Sequence, residues 1–440
     1  MAFYGMRGTG DWVENQFPEN WNEAVLYWYP NGEAPLTAIM AKLATKILDA
    51  PVWHWWTQGL PTHAADITGV YSDSGLSSAY VSGAVAGTMI YIKMAAADIT
   101  KFIVSHQVTL RDSSDMSVDC VGLIMDRVES GASSYVKVKL FEADDNSNDS
   151  HTLADADRIL GLGTANEEGA GMPDAISYDP TEWYNYTQIL RTPLEITGTA
   201  METNLRTNPQ AYAKLQKETL QDHSILLEKN TWWSIPSVGS GSNGKPIRTT
   251  MGIIPAIRGG YLGHGGESGT VDDYVLNSTY AGQTWLSGGA DWLDENLEAI
   301  FRYGKKMKLA FCGSLTVAAI NKLVQNGGDY TWGPDTTIYG MKIKEWKTPF
   351  GSIGLIMHPL FNYESTTRRI MVIIEPENLI YRPLRNRDTK FIGEGIAQTN
   401  TGYTRRDGIK EEYLTERGIE YQNPNGWGYL YGFGSDNTAS

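Results

Sequence analysis

Some short segments of the chain have residue types and spacings that could bind a ligand or support catalysis. Gly239 to Pro246 (GSGSNGKP) has the spacing of a nucleotide phosphate loop, but Pro246 stands where that loop needs the Ser or Thr that binds Mg²⁺. A helix should also begin there, whereas the sequence from Pro246 to Thr249 is typical of an extended segment. The pattern therefore indicates a flexible glycine loop and not a nucleotide site.

Two further loops resemble functional motifs without completing them. Gly263-His264-Gly265-Gly266 is similar to an oxyanion-hole loop, but no Gly-x-Ser-x-Gly elbow supplies a nucleophile. The segment from Asp144 to Asp149 alternates oxygen ligands as a calcium loop does. It has Asp149 and Asp155 where that loop needs Gly and Glu. These patterns predict a mobile loop and a hydrated acidic turn.

Histidine and cysteine offer no alternative chemistry. The seven histidines are scattered, with no HExxH motif and no i,i+4 pair. His223 falls within a predicted helix, where a packed or solvent-facing side chain is expected rather than a metal ligand. The two cysteines, Cys120 and Cys312, are far apart in sequence, which predicts buried reduced thiols and no disulfide scaffold or zinc site. We predict no catalytic residue, cofactor or metal, and so no enzyme.

Length and charge restrict the remaining classes. A chain of 440 residues predicts two or three lobes. Its formal charge of −15, without a cluster of Lys and Arg, is poorly suited to sequence-independent DNA binding. The same acidity is equally compatible with a role in solubility alone. Residues 1–10 lack the apolar core of a signal peptide, and no apolar run is long enough to span a membrane. A soluble protein made in a cytoplasm is expected.

The elements that would position any functional surface begin with an aromatic segment. The first 35 residues are irregular and rich in large rings, among them Trp12, Trp21 and Trp28. Such rings must be buried, either on a partner surface or as a strap on the chain's own domain. The segment from Pro35 to Asp49 has apolar residues at helical spacing and predicts an amphipathic helix. A dense group of rings follows at Trp53, Trp55 and Trp56.

Short β runs follow between about residues 71 and 141. The segments 87–94, 101–104, 107–110, 118–128 and 135–141 alternate or run apolar between Gly, Ser and Asp. Val136, Val138 and Leu140 alternate with Lys137 and Lys139, which predicts a strand with one wet face. The pattern indicates a small β insertion with its own core.

A long helix and an α/β region follow. After Asn208-Pro209, the stretch from Gln210 to Asn230 has no Gly or Pro, and its thin apolar stripe (Tyr212, Leu215, Leu226, Leu227) is typical of a strut. A helix capped by Asp291, strands at 307–312, 341–346 and 354–357, and a helix at 315–326 capped by Ser314 are expected next. Strands at 370–374 and 378–381 precede a polar tail.

The ordered motifs of the chain resemble a known family. Trp53 to Pro61 (WHWWTQGLP), Glu167 to Ala170 (EEGA), Tyr178 to Met201 (YDPTEWYNYTQILRTPLEITGTAM) and Met251-Gly252-Ile253 follow one another as in tailed-bacteriophage major capsid proteins with the Hong Kong 97-type fold. Closer to the end, Tyr381 to Leu384, Arg387 to Thr389 and Glu412 to Glu420 are similar to the closing strands of those proteins. The resemblance runs from about residue 35 to 422.

That resemblance implies an α+β fold and a function. It implies an N-terminal arm (1–62), an extended loop with a β insertion (63–198), and a peripheral domain with a spine helix (199–250). An axial domain (251–374) and the peripheral domain's C-terminal strands and tail (375–440) complete it. The implied protein is a major capsid protein of hexamers and pentamers that form an icosahedral shell. The shell encloses double-stranded DNA without reading its sequence, and no membrane is involved. Scaffolding, portal and cement proteins are the expected partners, and the bacterial cytoplasm is the expected place of assembly.

Subunit-contact residues follow as expectations. The rings Trp12, Trp21, Trp28, Trp53, Trp55 and Trp56 are expected to anchor neighbouring subunits or the subunit's own spine helix. Four basic residues occur in the same part of the sequence as four acidic ones: Arg382, Arg385, Arg387 and Lys390 with Asp388, Glu394, Glu411 and Glu412. Such mixed charge suits inter-subunit ion pairs or a solvated strand face.

Other functions remain open at this point. A carbohydrate-binding protein or glycosidase, secreted or carried on a virion, would also explain 14 Trp, 24 Tyr and the acidity. Another phage component, such as a tail or portal protein, is the other alternative.

Overall fold

The computed structural model describes residues 43–115, 118–144, 152–169, 171–202, 211–260, 268–327, 331–338, 341–393 and 408–437. The chain divides into two compact units, one of Gln58–Thr181 and one of Met1–Thr57 together with Glu182–Ser440. Both helices and strands occur in the described residues, which confirms the α+β class. None of the helices in these ranges has both the length and the apolar character needed to cross a membrane.

The strands are numbered here in chain order. In the first half they are β1 (Val52–Thr57), β2 (Ala64–Tyr71), β3 (Met89–Met94), β4 (His106–Arg111), β5 (Asp119–Val128), β6 (Tyr135–Leu140), β7 (Arg158–Thr164), β8 (Thr181–Tyr186), β9 (Gln188–Thr197), β10 (Ser237–Ser240) and β11 (Pro246–Thr249). In the second half they are β12 (Thr270–Asp273), β13 (Met307–Cys312), β14 (Thr331–Ile338), β15 (Met341–Lys347), β16 (Ser352–Met357), β17 (Met371–Ile374), β18 (Leu379–Pro383), β19 (Lys390–Gly393), β20 (Gly408–Tyr421) and β21 (Gly428–Tyr431).

The helices are fewer. They are α1 (Ala96–Ile99), α2 (Gly198–Glu202), α3 (Ala211–Trp233), α4 (Ile253–Arg258), α5 (Trp285–Phe301) and α6 (Ser314–Gly327). The long helix α3 confirms the predicted strut.

The smaller unit is a closed β-barrel. Its strands pair in the order β2-β3-β6-β5-β4-β7, and β7 returns to β2. In β6 the apolar residues Val136, Val138 and Leu140 are fully buried while the intervening lysines are partly exposed, as the alternation predicted. Closure of the ring satisfies the strand edges internally, so this small insertion has a core without needing a covering layer.

The larger unit contains the sheet on which the long helix packs. The centre of this sheet is β20, which pairs with β9 from Gly408↔Thr197 to Arg417↔Gln188. Along its other edge β20 pairs with β18 and with β19. The final residues of α3 reach an apolar core that Trp53, Trp55 and Trp183 share with Trp232.

A mixed sheet forms the α/β part of the same unit. Its order is β12-β21-β17-β13-β16-β15-β14, with β13 parallel to β16 and β12 parallel to β21. Helices α5 and α6 contribute Leu293, Leu297 and Ile320 to a second core against these strands. The predicted strands and the helix that follows Gly313 are confirmed.

Some predicted elements are wrong. Leu43 to Asp49 is not helical: Thr45 and Leu48 form isolated bridges to Tyr381 and Leu384. The rest of the predicted helix at 35–49 lies outside the described residues. The predicted strand at 101–104 is a turn after α1, in which Phe102 and Ile103 are buried without strand pairing.

Helix α5 begins at Trp285, before the Asp291 that the sequence indicated as its cap. Its first turns contain Gly288 and Gly289, which lower helix propensity and concealed the true start. Packing requires both glycines, because a Cβ at Gly288 would lie 3.0 Å from Cδ1 of Tyr280 and one at Gly289 would lie 2.8 Å from the Trp285 ring. Tertiary contact therefore outweighs local preference here.

The packing of Trp53 on β20 generates a stability prediction. A Cβ built at Gly418 would overlap the buried Trp53 ring. We expect Gly418→Ala to lower the free energy of unfolding by about 1–3 kcal/mol, because the ring must leave its well-packed position. Urea unfolding checks this, with Gly239→Ala as control, since a Cβ at Gly239 meets nothing within 4 Å. Equal stabilities of the two variants would contradict the packing argument.

Candidate assembly surface

The candidate surface is a sheet braced by a helix, and its internal bracing is polar. The sequence predicted an apolar stripe on α3, but Leu226 is 40% exposed and Tyr212 and Leu215 are only partly buried. The buried side chains of the helix are instead Thr219, His223, Leu227, Glu228, Thr231 and Trp232. Most of these are polar, so their hydrogen bonds explain why the helix lies where it does.

Arg417 connects the helix to the centre of the sheet. It is 2% exposed, and its Nη2 donates to the carbonyl oxygen of Leu227 at 2.7 Å and to Oγ1 of Thr231 at 2.6 Å. The guanidinium also lies over the ring of Tyr381, 5.6 Å from its centre. Burial lowers the pKa of Arg417, and the nearby charges of Tyr381 and Glu228 oppose that shift. Because a guanidinium stays charged in proteins, a buried cation fixes helix and sheet together.

His223 makes a second polar contact between the same layers. The side chain is fully buried, with Nδ1 2.9 Å from Oγ1 of Thr192 on β9 and Nε2 2.8 Å from Oγ1 of Thr415 on β20. Burial lowers the pKa of His223, and the charge of Arg417 lowers it further against an opposing effect of Asp222. A neutral imidazole that bridges two strands is the expected form. The sequence had predicted a packed or solvent-facing side chain, and the structure shows the packed one.

Glu228 connects the helix to the α/β part of the unit. Its carboxylate and the His358 ring are both fully buried, with Oε1 2.7 Å from Nε2. Nδ1 of His358 accepts the backbone N–H of Leu360 at 3.2 Å, which fixes the orientation of the ring. The indole Nε1 of Trp232 lies 3.1 Å from the same Nε2. The buried carboxylate is thus held by an imidazole, with the charge of Arg417 near it.

The outer parts of the sheet carry the predicted basic residues. Within the chain, Nε of Arg382 donates to Oε2 of Glu420 at 2.7 Å, and Nε of Arg387 donates to Oε2 of Glu416 at 2.5 Å. Arg385 lies 2.7 Å from Asp49 in an exposed ion pair. Within the chain their carboxylate partners differ from those named from the sequence. The β18–β20 register brings Glu420 near Arg382, and the backbone hydrogen bond from Glu416 N–H to the Arg387 carbonyl brings Glu416 beside Arg387.

The carboxylates named from sequence have other roles. Asp388 accepts the Tyr381 hydroxyl at 2.6 Å, Glu411 accepts that of Tyr212 at 2.5 Å, and Glu412 pairs with Arg191 at 2.5 Å. Glu394 lies outside the described residues. Lys390 is exposed on β19. A role for the four basic residues between subunits remains a prediction.

The predicted aromatic anchors fall into three groups. Trp53 and Trp55 are each 7% exposed in the chain's own core, where Trp55 stacks on Trp183 at 6.2 Å between ring centres. Trp56, on the opposite face of β1, is 61% exposed. Trp12, Trp21 and Trp28 lie outside the described residues. Trp183 and Arg417 were not identified from sequence, since strand alternation alone does not reveal which ring or cation a helix will cover.

The structure describes part of the segments whose functional motifs are incomplete. Residues 239–246 form part of a β10–β11 hairpin, and Pro246 to Thr249 is extended as predicted. Cys120 and Cys312 are both buried and form no disulfide. Asp144 accepts the Tyr80 hydroxyl at 2.6 Å, whereas residues 145–149 and 263–266 lie outside the described residues. Within those ranges that the structure does describe, no three His, Cys, Asp or Glu side chains cluster as a metal site requires.

Comparison with known proteins shows an extensive match to a family model. Residues 6–433 match the family model of the SU10 major capsid protein. The major capsid protein of Pseudomonas phage PaMx41 is 23% identical over 287 residues, which cover 62% of this chain and 65% of that protein. The chain thus spans about two thirds of the length of that curated relative.

Two solved structures are similar at low identity. A structure of Mycobacterium phage Bobi gives a TM-score of 0.43 at 7% identity, covering 96% of this chain and 98% of its own. The capsid structure of cyanophage P-SCSP1u gives a TM-score of 0.37 at 12% identity, covering 62% and 80%.

The buried histidine predicts a pH dependence of stability. The pKa of His223 lies below its ordinary value of 6.5 in the folded chain, so the unfolded chain takes up the proton first as pH falls. This contribution to stability is therefore present above about pH 6.5 and is lost progressively below it. We expect His223→Gln to flatten the decrease in unfolding free energy between about pH 7 and about pH 5. Urea unfolding at each pH measures it; parallel curves for variant and wild type would contradict this account.

Proposed function

Because the chain belongs to the SU10 major capsid protein family, we propose that it self-assembles, through hexamers and pentamers, into the icosahedral shell of a tailed phage. The observation that carries the proposal is the family match over residues 6–433. The shell encloses double-stranded DNA, and the chain's charge of −15 suits a wall that contains DNA without adhering to it. Assembly takes place in the cytoplasm of the bacterial host.

The function is structural and not catalytic. Glu228, His358 and His223 are ionisable side chains that pack at α3, and all are fully buried in hydrogen bonds within the chain. A substrate could not reach them without opening the core. The Trp and Tyr content that favoured sugar binding is likewise used in packing, as Trp183, Trp232, Trp292 and Tyr421 are each at most 2% exposed.

The parts of the chain correspond to the parts of a Hong Kong 97-type subunit. In this proposal residues 1–62 are the N-terminal arm, 63–198 the extended loop with the barrel as its insertion, and 199–250 the peripheral domain with α3 as spine helix. Residues 251–374, with most of the seven-stranded sheet, form the axial domain, and 375–440 return to the peripheral domain. The polar bracing of α3 supports this division, because a spine that spans a domain needs fixed contacts along its length.

Assembly depends on contacts between copies and with other virion proteins. In the described residues, Trp56, Arg385 and Lys390 from the predicted contact set are exposed and accessible to a neighbour, and the Arg387 side chain is 43% exposed. Arg382 and Arg387 contribute through their pairs with Glu420 and Glu416, which fix the strand faces that a neighbour meets. Scaffolding, portal and cement proteins are the further partners that a shell of this class requires.

Removal of the aromatic arm tests the proposal. We expect a chain lacking residues 1–34 to fold but to remain unassembled, because Trp12, Trp21 and Trp28 supply contacts to other copies. Sedimentation velocity separates monomers and capsomers from shells, and circular dichroism checks that the truncated chain is folded. Shells formed by the truncated chain at wild-type yield would disprove the role of the arm.

A further inference from the structure

The β10–β11 hairpin is fixed at its base. Its ladder runs from Ser237↔Thr249 to Ser240↔Pro246, and the turn is closed by the Gly241 N–H donating to the Lys245 carbonyl at 2.7 Å. At the base, Oε1 of Gln188 accepts the backbone N–H of Thr250 at 3.1 Å and the Ser234 hydroxyl at 3.2 Å. One side chain thus fixes both ends of the hairpin, which extends from the end of α3.

Beyond its base the hairpin is largely exposed and carries an aliphatic side chain on each face. The register places Val238 beside Arg248 on one face and Gly239 beside Ile247 on the other. Val238 is 53% exposed and Ile247 is 57% exposed, so the described part of the chain leaves about half of each side chain uncovered. A two-stranded hairpin with no covering layer is marginally stable in water. A hairpin with aliphatic side chains on both faces therefore indicates a surface that another molecule covers.

The charge of the hairpin indicates the chemistry of that molecule. Residues 234–250 contain Lys245 and Arg248 and no Asp or Glu, in a chain whose net charge is −15. Neither cation forms an ion pair with a carboxylate in the described part of the chain. A cationic, apolar projection on an acidic protein is complementary to the rest of that protein's own surface, which favours a second copy as partner.

The chain also offers a surface with the matching properties. Residues 166–180 connect β7 to β8 without helix or strand in their described part, and they are exposed along most of their length. This segment, the acidic coil, contains Glu167, Glu168, Asp174 and Asp179 and no Lys or Arg. None of the four carboxylates is ion-paired within the described ranges, and Met172 is 97% exposed. Structureless segments of this length are uncommon in compact domains and are usually either functional or linkers.

We propose that the β10–β11 hairpin of one copy docks on the acidic coil of a second copy. Lys245 and Arg248 meet the carboxylates of the coil, and Val238 and Ile247 cover apolar side chains such as Met172. The contact rests on the proposed function, since it operates only between assembled subunits, and it specifies which surfaces of the shell protein pair. The contact would thereby pair the charges of the hairpin with those of the acidic coil and cover exposed apolar side chains of both.

Charge reversal tests the pairing directly. Two double variants are made: the hairpin pair Lys245→Glu/Arg248→Glu and the coil pair Glu167→Lys/Glu168→Lys. A third chain combines all four substitutions, and a fourth sample mixes the two double variants. All are expressed under conditions in which the wild-type chain forms shells. We expect each pair alone to lower the shell yield at least about tenfold, since like charges then meet across the contact. The combined chain should recover wild-type yield, and the mixture should give more shells than either variant alone, both measured by sedimentation.

The controls separate a contact between copies from a contact within one copy and from a general effect of charge. Lys217→Glu/Lys229→Glu makes the same change in net charge on the exposed face of α3 and should retain higher yield than the hairpin pair. Recovery in the combined chain, with a mixture that gives no more shells than either variant alone, would overturn the proposal in favour of a contact within one copy. No recovery in either, or no loss from the hairpin pair while the wild type assembles, would overturn it outright. A wild-type chain that never assembles would instead refute the proposed function.

Discussion

The guanidinium of Arg417 is buried between a long helix and the central strand of a sheet, and the position of both layers depends on its partners. Nη2 of Arg417 holds a carbonyl and a hydroxyl at the end of α3, while its own strand pairs with β9 on one side and β18 on the other. A buried charge that loses its hydrogen bonds costs far more than a lost apolar contact. If the helix slid along the sheet, the buried guanidinium would lose these hydrogen bonds, so the helix is held in one position.

The same logic extends the bracing along the helix. Glu228 lies one turn from Thr231 and connects the helix to His358, which precedes a turn in the α/β part of the unit. His223, farther along the helix, connects it to β9 and β20 through threonine hydroxyls. Polar contacts are directional, so they define one arrangement where an apolar stripe would permit several. A subunit that repeats many times in a closed lattice needs such a fixed geometry, since small errors in one copy would recur in each.

The sequence predicted the parts of the fold that local pattern controls. The uninterrupted stretch from Gln210 to Asn230 predicted α3, and alternation in Val136, Val138 and Leu140 predicted β6. It did not predict which face of α3 is buried, because the partners of His223 and Glu228 come from strands distant in sequence. The helix predicted at 35–49 was wrong in its described part for a related reason: helical spacing in Leu43 and Ile47 was outweighed by bridges to the strand region at 381–384.

The candidate site shows the same limit. Its basic residues were identified from composition, but the carboxylates assigned to them were those nearest in sequence. The pairing of β20 with β18 and with the turn that follows β18, which sequence does not reveal, brings Glu420 to Arg382 and Glu416 to Arg387 instead. Trp53 and Trp55 were recognised as anchors, and the structure places both in the chain's own core beside Trp183.

Electron microscopy of the purified full-length chain, expressed with its scaffold, tests the central claim of shell formation most directly. Closed icosahedral particles of uniform diameter, with hexameric and pentameric clusters resolved on their surface, are the predicted result. Rings or tubes would identify a portal or tail component, and single particles the size of one chain under every condition would show that the protein is not a shell subunit.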